Sequence, residues 1–201
     1  GSPEIDEFEL ERLAGYRGMG PVRIGNAAYT QVQNDVYGAA VLAAAHVFYD
    51  ERLRRPGNQS LYQQLEILGE RAAEKFDQPD AGLWEYRGIA KVHTFSSVMC
   101  WAACDRLARI AERIGLPQRR EYWRTVADRM HATICAKAWN DEINSLAESF
   151  AGKDLDASLL LIQQLGFVSA EDPRFHGTVS AVEKSLRRGD FLLRYATEDD
   201  F

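Results

Sequence analysis

The stretch SSVMCWAACDRLARIAERIGLP, residues 96–117, decides the fold class of this chain. Its apolar residues recur at steps of three and four, which is the spacing that lines one face of an α-helix. Gly115 stands where a left-handed residue often closes a helix, and Pro117 suits the first turn of the next one. We predict a helix from about residue 96 to 115 whose inward face carries Met99, Ala103, Leu107, Ile110 and Ile114.

Helical spacing extends outward from this stretch over most of the chain. We predict five more helices, at residues 27–50, from 58 or 60 to 76, 117–138, 155–165 and 172–189. No run sustains the alternation of apolar and polar residues that typifies strands, so the predicted class is all-α. The inward residues are predicted to be Val32, Val36, Ala40, Ala43 and Val47 in the first helix, and Tyr122, Val126, Met130 and Ile134 in the fourth.

The composition is that of a globular domain with an acidic balance. The 24 Lys and Arg against 30 Asp and Glu leave a net charge of −6, which argues against nucleic acids or anionic membranes as partners. The longest apolar run, residues 39–48, is far shorter than the ~20 residues of a membrane span. Because Gly1 and Ser2 resemble a tag remnant and no initiating Met is present, we expect a piece of a longer protein, with residues 1–14 as remnant and extended lead-in.

Three cysteines, Cys100, Cys104 and Cys135, make an odd number in a chain large enough to fold without disulfides. This favours reduced thiols and a cytoplasmic setting. The four histidines show none of the short Cys and His spacings typical of zinc sites, so we expect buried, unreactive cysteines and no metal. The sequence also lacks a Gly-rich phosphate loop, and no cofactor is predicted.

The segment DAGLWEYRG, residues 80–88, has the most unusual composition in the chain. Trp84 and Tyr86 offer flat apolar faces to a sugar ring, while Glu85 and Arg87 supply hydrogen bonds to its hydroxyls. A carboxyl pressed against an indole also loses solvation when ionised, which raises its pKa and suits general-acid catalysis. A glutamate in a loop is far more often a solvated surface residue, however, and the spacing alone leaves both interpretations open.

The segment PVRIGNAAYTQVQNDVYG, residues 21–38, places amides and a carboxylate near a predicted helix start. Gln31, Asn34 and Asp35 lie among small residues there and would suit the wall of a polar cavity. From composition alone, capping of the helix by Asn26 with a solvated polar face is the commoner outcome.

Taken together, several segments resemble glycoside hydrolase family 15, which contains the glucoamylases, bacterial glucoamylase-like enzymes and trehalases. The segments run in order from residue 15 to the end of the chain, and several independent motifs are more specific than any one of them. They are GYRG at 15–18, PVRIGNAA at 21–28, QNDVYG at 33–38, residues 79–88, VMCW at 98–101 with Asp105 and Arg106, LDASLL at 155–160 and LRY at 193–195.

The resemblance implies an (α/α)6 barrel, in which each of six inner helices is paired with an outer one. The paired helices predicted here would form about half of this six-hairpin toroid, its central arc, so we expect residues 1–201 to be a single partial catalytic domain. The resemblance also implies a glycosidase that cleaves α-glucosidic bonds with inversion. Its substrate would be an oligosaccharide, with glucose released from the chain end as in glucoamylases, or the disaccharide trehalose.

Inverting glycosidases use one protonated carboxyl on the leaving oxygen and a second carboxylate that activates water. In this family the acid is the Glu after Trp, which corresponds to Glu85. The resemblance assigns substrate contacts to the pocket residues Trp84, Arg87 and Arg194 and, as weaker candidates, to Tyr29, Gln33 and Asp35.

Two parts of the family's active site have no counterpart in the chain. The general base lies beyond the Arg-Tyr motif, past Phe201, and an Arg-Asp pair that grips the sugar should precede Gly15. A further departure is Ser97, since bacterial members usually have Lys at this point. Asp35 and Asp156 could be offered as substitute bases, but we expect both to be structural carboxylates, at helix starts or in buried hydrogen bonds.

We therefore expect residues 1–201 alone to be inactive or nearly so. The exposed edges of a half-ring would favour association, as a homo-oligomer or by swapped helices. The alternative from another functional class is a non-catalytic helical interaction module. Assays of the full-length protein on maltose, maltooligosaccharides and trehalose would separate the two, since a hydrolase should depend on Glu85.

Overall fold

Helices dominate the fold. A computed structural model describes residues 5–196. Its α-helices are α1 Asp35–Tyr49, α2 Gln59–Lys75, α3 Thr94–Arg113, α4 Pro117–Ala138 and α5 Pro173–Leu186, with 3-10 helices at Ala27–Thr30 and Ala157–Leu161. Three antiparallel pairs of two-residue strands accompany them: β1 Phe8–Glu9 with β2 Arg23–Ile24, β3 Trp139–Asn140 with β4 Ser145–Leu146, and β5 Arg187–Arg188 with β6 Phe191–Leu192. The predicted all-α class is confirmed.

Helix α3 occupies the centre of the fold. Nearly all of its residues from Thr94 to Ala111 are buried, and α1, α2 and α4 pack against it. A helix buried on most sides needs neighbours on most sides, so α3 sets the position of the other three. The residues predicted to face inward are buried or packed against the core, as expected: Met99, Ala103, Leu107, Ile110 and Ile114.

Local signals place most helix ends where the sequence predicts them. Asn58 caps α2, because its side-chain oxygen accepts a hydrogen bond from Leu61 N at 2.9 Å. Gly115 follows α3 with a φ of +74°, and Pro117 opens α4. Asp172 caps α5 in the same way as Asn58 caps α2. Helices α2 to α5 therefore confirm four of the six predicted helices.

The first predicted helix is wrong over its initial part. Residues 27–30 form a 3-10 turn, and α1 starts later. The backbone between them bonds to the loop after α2, where Ala81 N donates to Val32 O at 2.8 Å and Asn34 N donates to the Asp80 carboxylate at 2.8 Å. These long-range bonds satisfy backbone groups that a helix would otherwise pair, and local periodicity does not report them.

The buried face of α1 also differs from the predicted one. Val36 is 54% exposed, and Val32, before the helix, is 60% exposed. A Cβ on Gly38 would lie 2.2 Å from Met99 O of α3, so only a glycine allows the two helices to approach this closely. This approach fixes the rotation of α1 and turns inward the residues Gly38, Val41, Ala45 and Phe48.

The prediction of a helix over residues 155–165 is wrong. The described chain forms the short 3-10 helix Ala157–Leu161 there, followed by turns. Ala157 N donates to Arg194 O at 2.8 Å, so the start of this segment is bonded to a distant part of the chain. Gly166, with a φ of +80°, then ends the segment. The apolar residues that suggested an α-helix are buried without forming one.

In α4, the prediction that Tyr122 faces inward is wrong, and its neighbour Trp123 faces inward instead. Trp123 is fully buried, whereas Tyr122 is 40% exposed. The Trp123 indole donates to Glu66 Oε1 of α2 at 2.7 Å. A buried indole needs an acceptor for its N–H, and the packed α2 provides it.

All three cysteines are free thiols, and Cys100 and Cys104 are buried in α3, as predicted. Burial raises the pKa of Cys104 to about 12, and the negative charge of Glu70 adds to the rise. Cys135 of α4 is half-buried. A thiol with so high a pKa is a poor nucleophile at neutral pH, which fits the expected structural role.

The N-terminal lead-in is held against the rest of the chain. Residues 1–4, which include the suspected tag remnant, lie outside the described residues. Within the lead-in, Phe8 is paired with Ile24 and Glu9 with Arg23. Among the helices of residues 5–196, none has both the length and the apolar character needed to cross a bilayer.

The contact between α1 and α3 predicts the effect of Gly38→Ala. The added methyl meets the Met99 backbone at 2.2 Å, and a backbone cannot move aside as a side chain can. We expect the free energy of unfolding, measured by urea titration, to fall by about 1–3 kcal/mol. In the comparison variant Gly69→Ala, the methyl meets two side chains, Leu107 Cδ1 at 2.2 Å and the Trp123 ring at 2.8 Å, which can shift more easily than backbone, so we expect a smaller loss. Equal stability of Gly38→Ala and wild type would contradict this account of the interface.

Candidate active site

Four residues that the sequence singles out line one cavity. It has a volume of about 490 Å³ and joins three separate parts of the chain: the lead-in with the first 3-10 turn, the loop after α2, and the segment after β6. A larger hollow of about 620 Å³ lies beside α5 and contains none of the predicted site residues. The smaller cavity is lined by Glu7, Asn26, Ala27, Ala28, Thr30, Gln31, Trp84, Glu85, Arg87, Gly88, Arg194 and Tyr195.

A tight turn presents Glu85 to this cavity. Glu85 N donates to Gly82 O at 3.2 Å, and Glu85 itself has a left-handed backbone with a φ of +56°. The segment that follows the first 3-10 turn holds this loop. Gln31 Nε2 donates to Glu85 O at 3.1 Å, and Gln33 Nε2 donates to Gly82 O at 3.4 Å. A non-glycine residue with positive φ is uncommon and persists where its surroundings enforce it.

Glu85 is exposed in this structure. The expectation that the neighbouring indole shields its carboxyl from solvent is therefore wrong for this structure. The polar edge of Trp84 is instead directed to Asp156 Oδ2, to which Nε1 donates at 3.1 Å. Glu85 nevertheless lines the same cavity as Arg194, so the acid candidate and the cation share one concave surface.

Trp84 and Arg194 form the aromatic and cationic wall of the cavity. The guanidinium carbon of Arg194 lies 5.7 Å from the centre of the Trp84 ring and 5.6 Å from that of Tyr195. The Trp84 and Tyr195 rings are tilted, with centres 6.3 Å apart. A cation near aromatic faces is attracted by their quadrupoles, which steadies Arg194 at the cavity.

Arg87 reaches the cavity as part of an ion cluster with the lead-in. Its Nη1 donates to Glu7 Oε1 at 2.6 Å, and Arg23 Nε lies 3.3 Å from the same oxygen. Ala27 N donates to the other oxygen at 3.2 Å. These contacts, the Arg87 hydrogen bond first, lower the pKa of Glu7 below its usual value. Sequence reasoning missed Glu7, because nothing near it in the chain indicates a partner 80 residues away.

The three weaker candidates are not among the described residues that line the cavity. Tyr29 is 47% exposed. Gln33 donates to Gly82 O and so supports the turn that carries Glu85. Asp35 begins α1; burial raises its pKa, and the negative charge of Glu85 adds to the rise. Asp35 thus lies near the acid candidate, and its position at a helix start agrees with the structural role expected for it.

A buried polar cluster lies behind the loop, and the sequence analysis missed most of it. Tyr86 OH donates to Glu148 Oε2 at 3.3 Å, and Lys91 Nζ lies 2.7 Å from Glu148 Oε1. Asp156 caps the second 3-10 helix by accepting a hydrogen bond from Ser158 N at 3.0 Å, so it has the helix-start, buried and hydrogen-bonded position that the sequence predicts. Burial raises the pKa of Asp156 to about 6, helped by the negative charge of Glu148.

Chemically, the arrangement suits recognition of a neutral polyhydroxylated ligand. Two aromatic rings, two arginines, two carboxyls and two side-chain amides line one cavity whose volume falls in the range of small-molecule sites. Aromatic faces contact the C–H faces of a sugar ring, and the polar groups can bind its hydroxyls. A single exposed carboxyl beside this wall is placed to transfer a proton to a bound ligand.

The chain is similar in sequence to known proteins. The sequence model of the Glycosyl hydrolases family 15 matches residues 1–200. The trehalases of Mycolicibacterium smegmatis and Mycobacterium tuberculosis are 36% and 37% identical to the chain over 199 residues, which are 99% of this chain and 29% of each relative. The trehalase of Thermoplasma acidophilum is 35% identical over 199 residues, with 34% of its length covered. The chain thus spans about a third of the length of these curated relatives.

A solved structure shares the fold. A glycosidase variant in complex with glucose aligns with a TM-score of 0.66 over 90% of this chain and 49% of its own, at 21% identity. At that identity the likeness bears on the fold alone. It places the central α3 and its neighbours in an architecture already seen in a glycosidase.

The buried His93 predicts how stability depends on pH. Its ring stacks on Tyr86 with centres 5.3 Å apart, and burial, with the charge of Lys91, lowers its pKa from 6.5 to about 4. The unfolded chain therefore binds more protons between pH 4 and 6.5, so this group makes stability rise with pH across that window. A shift of this size corresponds to roughly 3 kcal/mol.

The test is urea unfolding of wild type and His93→Gln at several pH values from 4 to 7. We expect the stability of the variant to rise less steeply with pH than that of wild type. His176→Gln, which removes an exposed histidine on α5, is the matched control and should leave the slope unchanged. Parallel pH profiles for wild type and His93→Gln would contradict the argument.

Proposed function

Because the chain belongs to glycosyl hydrolases family 15, we propose that the intact protein hydrolyses an α-glucosidic bond with inversion at the anomeric carbon. The observation that carries this proposal is the shared cavity of Glu85, Trp84 and Arg194. These residues come from two distant parts of the chain, and the family resemblance assigns all three to the sugar site.

In the proposed mechanism, Glu85 is the general acid. Its protonated carboxyl donates to the glycosidic oxygen as the bond from that oxygen to the anomeric carbon breaks. A second carboxylate takes a proton from water, whose oxygen attacks the anomeric carbon from the opposite face. The Trp84 face and the Arg194 guanidinium would hold the sugar ring while its anomeric carbon gains positive charge.

We place the second carboxylate outside residues 1–201, as the family resemblance implies, because Glu7, Asp35 and Asp156 do not suit that role. Glu7 lines the cavity, but its oxygens are held by Arg87, Arg23 and Ala27 N. Asp35 begins α1 without lining the cavity, and both oxygens of Asp156 accept hydrogen bonds from the protein. Residues 1–201 would then form one part of a larger catalytic domain, the central arc of an (α/α)6 barrel. Without a base, general-base catalysis worth about 10²–10⁴-fold is lost, so the chain alone should be nearly inactive.

Trehalose is the substrate that we propose first. The curated relatives named above are called trehalases and match nearly the whole of this chain. Release of glucose from oligosaccharide ends is the second possibility within the same chemistry. We also propose a cytoplasmic protein, on the ground that its three cysteines are free thiols.

The catalytic prediction concerns Glu85→Gln in the full-length protein. The amide cannot donate a proton to the leaving oxygen, so we expect kcat on trehalose or maltooligosaccharides to fall about 10²–10⁴-fold. Glu121→Gln removes an exposed carboxylate of α4, far from the cavity in sequence, and should leave kcat unchanged. Hydrolysis that survives in Glu85→Gln would remove the acid assignment. Absence of hydrolysis in wild type would favour a helical interaction module.

Large apolar residues that are exposed near the start of α1 and in β6 predict association of residues 1–201 when expressed alone. Val32 and Val36 are 60% and 54% exposed near α1, and Phe191 is 79% exposed in β6. Large apolar side chains exposed in this way favour contact with another molecule. Light scattering coupled to gel filtration should give a mass above that of one chain. A single species at 22.7 kDa would contradict the prediction.

A further inference from the structure

We propose that the buried carboxylates of Asp156 and Glu148 are positioning residues for Glu85 and act through the aromatic residues on either side of it. We call Asp156 and Glu148 together the carboxylate clamp. This inference rests on the proposed function, because it takes Glu85 as the general acid.

The first arm of the clamp holds Trp84. Asp156 is 4% exposed, and its Oδ2 accepts the Trp84 indole N–H at 3.1 Å. Its Oδ1 is fixed by Ser158, whose N and Oγ donate to it at 3.0 and 2.5 Å. Ala157 N bonds to Arg194 O at 2.8 Å, so the backbone beside Asp156 also carries the cationic wall of the cavity. The anchored carboxylate of Asp156 therefore fixes the position of Trp84 relative to Arg194.

The second arm holds Tyr86. Glu148 is 2% exposed and accepts the Tyr86 hydroxyl at 3.3 Å, while its other oxygen lies 2.7 Å from Lys91 Nζ. The Tyr86 ring is packed between His93, with which it stacks, and Tyr195, whose ring centre is 4.7 Å away. Tyr86 can then rotate only by breaking this packing and its hydrogen bond together.

Glu85 needs these anchors because Gln31 and Gln33 hold only the backbone of its turn, and no residue of the described part of the chain bonds to its carboxyl. Glu85 is exposed, its backbone φ is +56°, and the bond that closes its turn is 3.2 Å long. An L-residue left to itself avoids this backbone region. Fixing the side chains of positions 84 and 86 restrains the turn between them, and the turn sets the direction in which the Glu85 side chain leaves the backbone.

Stability alone does not account for the clamp. Two carboxylates are removed from water close to each other, and one positive charge, Lys91, compensates Glu148 directly. Burial of this kind raises the pKa of Asp156, which means that its charged form is disfavoured in the folded protein. Buried charges of that sort concentrate where a site needs fixed geometry.

The test uses the full-length protein with Asp156→Asn, Trp84→Phe and the double variant. Asn keeps the size of Asp, but its amide cannot accept from both Ser158 and Trp84. We expect kcat per folded molecule to fall about 10- to 100-fold, as for a small misplacement of reacting groups. Since Asp156 acts through Trp84, the double variant should lose little more than either single variant. A residue with a merely structural role would lower stability, leave kcat per folded molecule unchanged, and give additive losses.

A spectroscopic readout tests the contact in the wild-type protein itself. With ¹⁵N-labelled tryptophan, the indole resonance of Trp84 is identified by its absence in Trp84→Phe. We expect this N–H to exchange slowly with solvent, and to exchange faster in Asp156→Asn. Rapid exchange in wild type would overturn the inference even if Asp156→Asn does not fold.

The second arm is tested by Tyr86→Phe, which removes one hydroxyl and keeps the ring. We expect a lower kcat, with matched controls unaffected. Tyr122→Phe loses a similar bond to the exposed Glu70, and Trp139→Phe loses a similar bond to the exposed Asp141. Two results would overturn the carboxylate clamp but leave the proposed function intact. One is additive losses of kcat in the double variant. The other is an unchanged kcat in both Asp156→Asn and Tyr86→Phe while Glu85→Gln is inactive. Full hydrolysis in Glu85→Gln overturns the proposed function and the clamp with it.

Discussion

The hydrogen bond from Asn34 N to the buried carboxylate of Asp80 connects the helical framework to the cavity. Asp80 is 1% exposed, and its Oδ2 accepts this bond at 2.8 Å. Its backbone pairs with Lys91 through two hydrogen bonds, Asp80 N to Lys91 O at 2.9 Å and Lys91 N to Asp80 O at 3.2 Å. Asp80 therefore accepts a hydrogen bond from a backbone N–H at the N-terminal end of α1, and its own backbone closes the loop that carries Glu85. A negative charge at a helix N-terminus is also favourable to the helix dipole.

This arrangement concentrates buried acidic groups around a short loop. Burial raises the pKa values of Asp35, Asp80 and Asp156, so the folded protein disfavours their charged forms. A fold selected only for stability would place apolar residues at such positions. The loop instead gains a fixed backbone, including a left-handed Glu85, which a hydrophobic cluster without directional bonds would not impose.

The sequence predicted the framework well where local rules act alone. Helices α2 to α5 follow from apolar spacing, from Asn58 and Asp172 as caps and from Gly115 and Pro117 as ends. The sequence failed at residues 27–34 and 155–165, where backbone groups bond to segments far away in the chain. The rotation of α1 was wrong for the same reason, because the approach of Gly38 to Met99 of α3 outweighs the apolar spacing within α1.

For the candidate site, too, the sequence predicted some features and the tertiary structure was needed for others. The sequence by itself identified the family through ordered motifs and so selected Trp84, Glu85, Arg87 and Arg194, since residue types and spacing along the chain are enough to match a pattern. Only the tertiary structure decided that Glu7 pairs with Arg87, that Trp84 donates to Asp156 and that Tyr86 donates to Glu148. These contacts join residues 62 to 80 positions apart, and a hydrogen bond depends on distance and angle in space, neither of which local sequence specifies.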